Sequence, residues 1–164
     1  MYKVRVILDT KEDVIRTLTV NNAINLEELH LIIAKAFGFN GQEMASFYRA
    51  DHEWNQGEEI PLFDMSEFGE AISMSTCVLK ETLPNTNDKL IYVYDFFKMW
   101  SFYVEVIDRN NELLTEPKIL MSIGQVPDEA PEKEFIAEKN EDSFEDQFDD
   151  NDFESLDDID FDNY

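Results

Sequence analysis

"KLIYVYDFFKMWSFYVEVID", residues Lys89–Asp108, carries two strand patterns in succession. The first half, "KLIYVYDFF", is apolar on both faces, as a strand flanked by neighbours requires. The second half, "WSFYVEVID", alternates, with Trp100, Phe102, Val104 and Val106 on one side. The two read as an antiparallel pair at the centre of a sheet. Asp95 then stands among aromatic residues where the strands meet. As a chemical group it would be a general base or ligand contact in an aromatic groove shared with Tyr92, Tyr94, Trp100 and His30. As a structural group it would accept backbone N–H donors at the turn, beside Lys98. The turn reading is preferred, because a carboxylate without a second acid, histidine or metal does neither acid–base nor ligand work.

Outward from this hairpin, "YKVRVILD" places Tyr2, Val4, Val6 and Leu8 on one face, with Lys3, Arg5 and Asp9 opposite. "TKED" is a polar turn, and the β-branched "VIRTLTV", Val14–Val20, pairs back as a hairpin. "NLEELHLIIAKAFG" is a helix, since Leu26, Leu29, Ile32, Ile33, Ala36 and Phe37 recur at three-and-four spacing. Asn25 and Glu28 stand where a capping box would, and Gly38 where a left-handed residue ends a helix. "ASFYRAD" reads as a third strand. "HEWNQGEEIPLFDMSEFGEA" reads as a long surface connection, and "STCVLKETL" fits either a short helix or a strand. "PNTND" is a turn, "EPKILMSI" adds a last strand, and "GQVPDEAPEKEF" leaves the domain. No internal repeat is present.

The charge is unevenly placed. The chain has 13 basic and 37 acidic residues, a net charge of −24. From Asn140 to Tyr164 there are twelve acidic and no basic residues, so half of the net charge lies in that last stretch. Such a field repels phosphate backbones, which disfavours direct nucleic-acid binding and favours a basic protein partner. Cys77 is the only cysteine, which excludes an intrachain disulfide and a thiolate-rich metal site. The alternating N-terminus lacks the apolar run of a signal peptide, and no stretch approaches the ~20 apolar residues of a membrane span. A cytoplasmic protein is expected, monomeric and without cofactor or metal.

In order, the first hairpin, "LEELHLIIAKAFGF", "SFYRAD", "YVYDFFKMW" and "ILMSIGQVPDEAP" resemble the root-inducing-plasmid open-reading-frame-three family, sometimes labelled transposon passenger or resolvase-like, over residues 2 to 131. The most specific element is a Tyr-x-Tyr-Asp-Phe motif followed by a tryptophan, met by Tyr92, Tyr94, Asp95, Phe96 and Trp100. The family pattern continues with Gly-Asp and sets a histidine two places after the tryptophan. Here those positions hold Phe97, Lys98 and Phe102. His30 stands where the family often has a histidine, and "GQVPDEAP" resembles its Pro-Pro-Glu-Asp stretch. The resemblance implies an α+β domain with a mixed, largely antiparallel sheet and one main helix packed across it. It implies little about activity, and no serine-nucleophile context with clustered arginines supports the resolvase label.

His30 lies at the edge of the apolar stripe, where histidines more often bridge core and solvent than bind metal. His52, between Asp51 and Glu53, reads as part of a solvated turn. Tyr48, Trp54, Tyr92, Tyr94 and Trp100 could line a groove, although aromatics at strand spacing are usually core. The C-terminal stretch threads Phe144, Phe148, Phe153, Leu156, Ile159, Phe161 and Tyr164 through its carboxylates. Ordering it alone costs more conformational entropy than these anchors return, and self-repulsion adds to the deficit. A basic, apolar groove on another protein would reverse that balance. A solubilising tail without a target and a basic patch near Lys3, Arg5 or Arg16 are the other readings.

The expectation is therefore an α+β domain at 1–127 and a disordered acidic tail at 128–164. The chain would be a non-enzymatic interaction module that engages a basic protein surface through Phe144, Phe148, Phe153, Leu156, Ile159 and Phe161. The alternatives are an enzyme or small-ligand binder at Asp95 and His30, and a mobile-element accessory that mimics nucleic acid.

Overall fold

Strand β1 (Tyr2–Leu8) buries alternate side chains, Tyr2, Val4, Val6 and Leu8, as its period-two pattern requires. In the computed structural model, which describes residues 1–66, 69, 71–114 and 116–131, this strand lies between β2 (Ile15–Val20) and β6 (Trp100–Arg109). Strand β5 (Lys89–Tyr94) pairs with β6 residue for residue, from Lys89 opposite Glu105 to Tyr94 opposite Trp100. Beyond β5 come β3 (Ala45–Ala50) and then β4 (Gln56–Pro61), while β7 (Lys118–Ile123) flanks β2. The seven-stranded sheet thus runs β4-β3-β5-β6-β1-β2-β7.

All the ladders among the described residues are antiparallel, which corrects the mixed sheet expected from the sequence. The reason is topological. A parallel pair needs a crossover between neighbouring strands, and the main helix, α1 (Leu26–Ala36), instead links β2 to β3, which are not neighbours. Strand β4 is the second correction, since it falls inside the stretch read as a surface connection. Of its six residues only Ile60 is buried, so no alternation marks it. "STCVLKETL" becomes a 3-10 turn at Met74–Thr76 and a short helix, α2 (Leu79–Thr82).

The cap of α1 forms as its residues predict. Asn25 Oδ1 accepts from the Glu28 N–H at 2.8 Å, and Glu28 Oε1 accepts from the Asn25 N–H at 3.0 Å. Gly38 then takes a φ of +88°, the left-handed conformation that glycine adopts without strain. Arg16 holds the far end of the helix: its Nε donates to the Ala36 carbonyl at 3.2 Å, and its Nη1 to the carbonyls of Ile15 and Ile123. The guanidinium also lies over the Phe37 ring, 5.1 Å from its centroid. One arginine thereby joins β2, β7 and α1.

The helix covers one face of the sheet, where it meets the inward residues of β1, β3, β5 and β6 in a single core. Met1–Ala130 forms one compact unit. Residues 132–164 lie outside the described residues. The expected disorder of the tail and the partner-binding side chains Phe144, Phe148, Phe153, Leu156, Ile159 and Phe161 therefore fall outside them too.

Candidate functional site

The aromatic motif is built by register. Phe47 on β3, Tyr92 on β5 and Phe102 on β6 stand opposite one another across three neighbouring strands. Their rings pack at 4.8 Å (Phe47–Tyr92) and 5.5 Å (Tyr92–Phe102). One strand position along, Tyr94 and Trp100 face Phe39, which follows the helix. Phe39 stacks on Tyr94 at 5.0 Å and tilts onto Trp100 at 4.9 Å. Phe37 meets Phe102 at 4.7 Å. These rings are the core between helix and sheet. Tyr92 and Trp100 are 0% and 4% exposed, so the aromatic groove expected around them is filled by the protein itself.

His30 also differs from its expected place at the edge of the stripe. It is 1% exposed and its Nδ1 lies 2.5 Å from the Tyr92 hydroxyl. Burial pushes the ring's pKa below its usual value, while a hydrogen bond with the Gly41 backbone acts in the opposite sense. A neutral ring that accepts from Tyr92 at Nδ1 carries its proton on Nε2. The Tyr92 hydroxyl is in turn pushed well above its ordinary range by burial and by Tyr94. A neutral donor and a neutral acceptor satisfy each other in the core, which is the condition for burying both.

Tyr94 holds the chain that follows the helix. Its hydroxyl accepts from the Gly41 N–H at 3.1 Å and the Glu43 N–H at 3.4 Å, and donates to Asn40 Oδ1 at 3.1 Å. Asp95 sits outside the core, at the turn. Its Oδ1 accepts from the N–H groups of Phe97 and Lys98 at 3.2 and 3.3 Å, and its own carbonyl accepts from Lys98 and Met99. Asp95 has a φ of +66°, in the region that Asp and Asn tolerate better than most residues. The link to Lys98 therefore runs through the backbone N–H. The structure brings His30, Tyr92 and Tyr94 together and leaves Asp95 on the other side of the strand end.

His52 is likewise separate. Its neighbour Asp51 accepts from the N–H groups of Glu53 and Asn55 and from the Asn55 side chain. The Asn55 contacts lead in holding the Asp51 carboxyl below its ordinary value. Trp54 follows with a φ of +67° and lies edge-on to Tyr103 at 5.0 Å, with Lys89 Nζ 5.3 Å from its ring centroid. Among the described residues no group of three or more His, Cys, Asp or Glu side chains is gathered as a metal would need. No helix among them is long and apolar enough to cross a membrane.

Two surface depressions are lined by described residues. A polar one of about 680 Å³ is lined by Asn22, Lys80, Glu81, Arg109 and Asn111 among others, with the Arg109 guanidinium bonded to the Pro84 carbonyl at 2.6 Å. The other, of about 340 Å³, lies on the sheet face opposite the helix, and its lining includes Lys3, Arg5, Ile15, Ile107, Met121 and Ile123. Sequence reasoning placed Lys3 and Arg5 on the outward side of β1. The apolar floor around them arises only once β6, β2 and β7 are set side by side.

The family model described as plasmid pRiA4b ORF-3-like protein matches residues 1–157. The chain belongs to the plasmid pRiA4b ORF-3-like family. The match to this family runs beyond residue 131, where the resemblance read from the motifs ends. Among solved structures, the protein of unknown function MM3350 from Methanosarcina mazei Go1 is similar, with a TM-score of 0.58 and 17% identity. The similarity covers 74% of this chain and 68% of that one, and at this identity it concerns the fold alone. No curated protein matches the sequence.

Proposed function

We propose that this plasmid pRiA4b ORF-3-like protein is a cytoplasmic protein-interaction module without catalytic chemistry, whose acidic C-terminal segment engages a basic surface on another protein. The observation that carries this reading is the composition of Asn140–Tyr164, twelve acidic and no basic residues interleaved with Phe144, Phe148, Phe153, Leu156, Ile159 and Phe161. A basic groove with apolar pockets neutralises the carboxylates and buries the rings in one step, so that ordering and binding are coupled.

The arrangement of the folded unit supports the choice of an interaction module over an enzyme. Of the residues that would serve catalysis, His30 is spent on Tyr92 within the core and Asp95 on the turn. General acid–base work needs groups that reach a substrate proton, and a sealed histidine does not.

The test is an affinity pull-down with the full chain and with a chain ending at Asn140, followed by mass spectrometry. A basic protein recovered with the full chain and lost with the shorter one is the expected result. Equal recovery with both refutes the role of the segment. Release of that partner by added DNA would mark nucleic-acid mimicry, the reading in which the acidic segment stands in for a phosphate backbone.

A further inference from the structure

The sheet has one face covered by α1 and one that carries no helix among the described residues. On the uncovered face Lys3, Arg5 and Ile7 of β1 stand between Ile107, Glu105 and Tyr103 of β6 and Ile15 and Thr17 of β2, with Met121 and Ile123 of β7 beyond. Every residue of β7 is exposed, and Ile119, Leu120, Met121 and Ile123 are 41 to 53% open to solvent. The opposite edge differs. Strand β4 presents Glu58, Glu59 and Pro61, the charges and proline that keep an edge from pairing or aggregating. Exposed apolar surface gathered in one place on a folded protein marks an interaction site.

The two cations decide what such a partner looks like. In a chain with 37 acidic and 13 basic residues, a surface cation would be expected to find a carboxylate, yet neither Lys3 nor Arg5 is in an ion pair among the described residues. Glu105 stands directly opposite Arg5 across the β1–β6 ladder, but its carboxylate turns to Lys89 Nζ at 3.3 Å. Arg5 Nε is buried and has no hydrogen-bond partner. Nε is the only Arg5 nitrogen that is both buried and unbonded, so the outer N–H groups of this half-buried side chain are where a carboxylate supplied from outside forms a charge-assisted bond. A nucleic acid is a poorer fit, since its affinity needs many phosphate contacts and this face offers two cations on an apolar floor in a strongly negative chain.

We propose that this face docks an acidic amphipathic peptide segment of another protein. The carboxylates of the segment meet Lys3 and Arg5, and its apolar side chains lie on Ile15, Ile107, Met121 and Ile123. Recognition is local. At physiological salt, charges beyond about 8 Å are largely screened, so the two cations act on a bound segment while the distant acidic residues act weakly. The site is distinct from the C-terminal segment and its basic partner, and it stands or falls separately.

The experiment is fluorescence anisotropy of the full chain with a fluorescein-labelled synthetic helical peptide, glutamates on one face and leucine and phenylalanine on the other, at ~0.15 M salt. Saturable binding is expected, weakened about tenfold by Lys3→Gln with Arg5→Gln. Weakening by Met121→Ser with Ile123→Ser is expected as well. Lys3→Gln alone keeps the half-buried Arg5 and guards against a folding defect, with circular dichroism melting as the check. The same peptide with lysine for glutamate is a ligand for the acidic C-terminal segment, so any binding it shows is expected to be unchanged by Lys3→Gln with Arg5→Gln and by Met121→Ser with Ile123→Ser. No saturable binding of the glutamate peptide, or equal binding of it by all variants, overturns the proposal. Two other results overturn it by assigning the face elsewhere: a dimer in sedimentation that Met121→Ser dissolves, or peptide binding by a chain ending at Asn140 and none by the full chain.

Discussion

The buried pair of His30 and Tyr92 makes a pH-dependent prediction. In the unfolded chain the imidazole titrates near 6.5, whereas in the folded protein burial holds its pKa below that value. Below pH 6.5 the unfolded state therefore binds a proton that the native state resists, and stability falls as pH falls until the folded pKa is reached. The loss is at most about 1.4 kcal/mol for each pH unit between the two values. A second quantity comes from the hydrogen bond. His30→Leu removes the acceptor and leaves the Tyr92 hydroxyl with only the distant His30 backbone carbonyl at 3.5 Å. An orphaned buried hydroxyl costs about 1 to 3 kcal/mol, whereas removing both polar partners is close to neutral in hydrogen-bond terms. His30→Leu should thus destabilise at pH 7.5, and adding Tyr92→Phe should recover part of the loss. Urea unfolding followed by the fluorescence of Trp54 and Trp100 measures both. The wild-type minus double-variant difference should shrink between pH 7.5 and pH 5.5, because only the wild type carries the imidazole. Parallel curves for the two proteins over that range, or additive single substitutions, would show that His30 is neither buried neutral nor coupled to Tyr92.

Two further outcomes follow from the backbone. Asp95→Ala removes the acceptor for Phe97 and Lys98 and sets an alanine at a φ of +66°. A loss of about 1 to 3 kcal/mol is expected, with Asp95→Asn staying within about 0.5 kcal/mol because it keeps the oxygen and tolerates that conformation; equal losses in urea unfolding would refute the turn role. Gly124→Ala would drive a Cβ into the Asp13 carbonyl oxygen at a φ of +78°. Hydrogen exchange should then quicken across Lys118–Ile123 and stay unchanged in β5 and β6. Unaltered exchange at β7 would show that the clash is absorbed elsewhere.

Much of the fold was legible because its inner strands and its helix carry complete local signals. Tyr2, Val4, Val6 and Leu8 alternate on β1, and Trp100, Phe102, Val104 and Val106 on β6, since each strand has one face on the core. The cap at Asn25 and Glu28 needed no tertiary partner to be read. Strand β4 was hidden for the converse reason: with Ile60 alone buried, its pairing with β3 leaves no alternation of apolar and polar residues. The helix stripe was misjudged by a small rotation. Ile32 and Ala36 are only partly buried, while His30 and Ala34 point inward. Hydropathy counts histidine as polar, so a face that includes one reads as an edge until the Tyr92 hydroxyl opposite it is known.

The same reasoning explains why the motif at Tyr92–Trp100 looks like a reactive site and behaves as a joint. Tyr92 holds the helix through His30, Tyr94 holds Asn40, Gly41 and Glu43 after the helix, and Trp100 packs on Phe39 in the same connection. Asp95 closes the turn between the strands that carry these three residues. The polar atoms of Tyr92 and Tyr94 attach the helix and its exit to the central hairpin, and those of Asp95 close the turn within it. The departures from the family pattern are consistent with this. Phe97 is 92% exposed, so a bulky residue in place of glycine meets no obstacle, and the positive φ values of this turn fall at Asp95 and Met99. Phe102, where the family sets a histidine, is buried against Phe37 and Tyr92 and completes the aromatic layer. A motif of this kind marks how the domain is assembled.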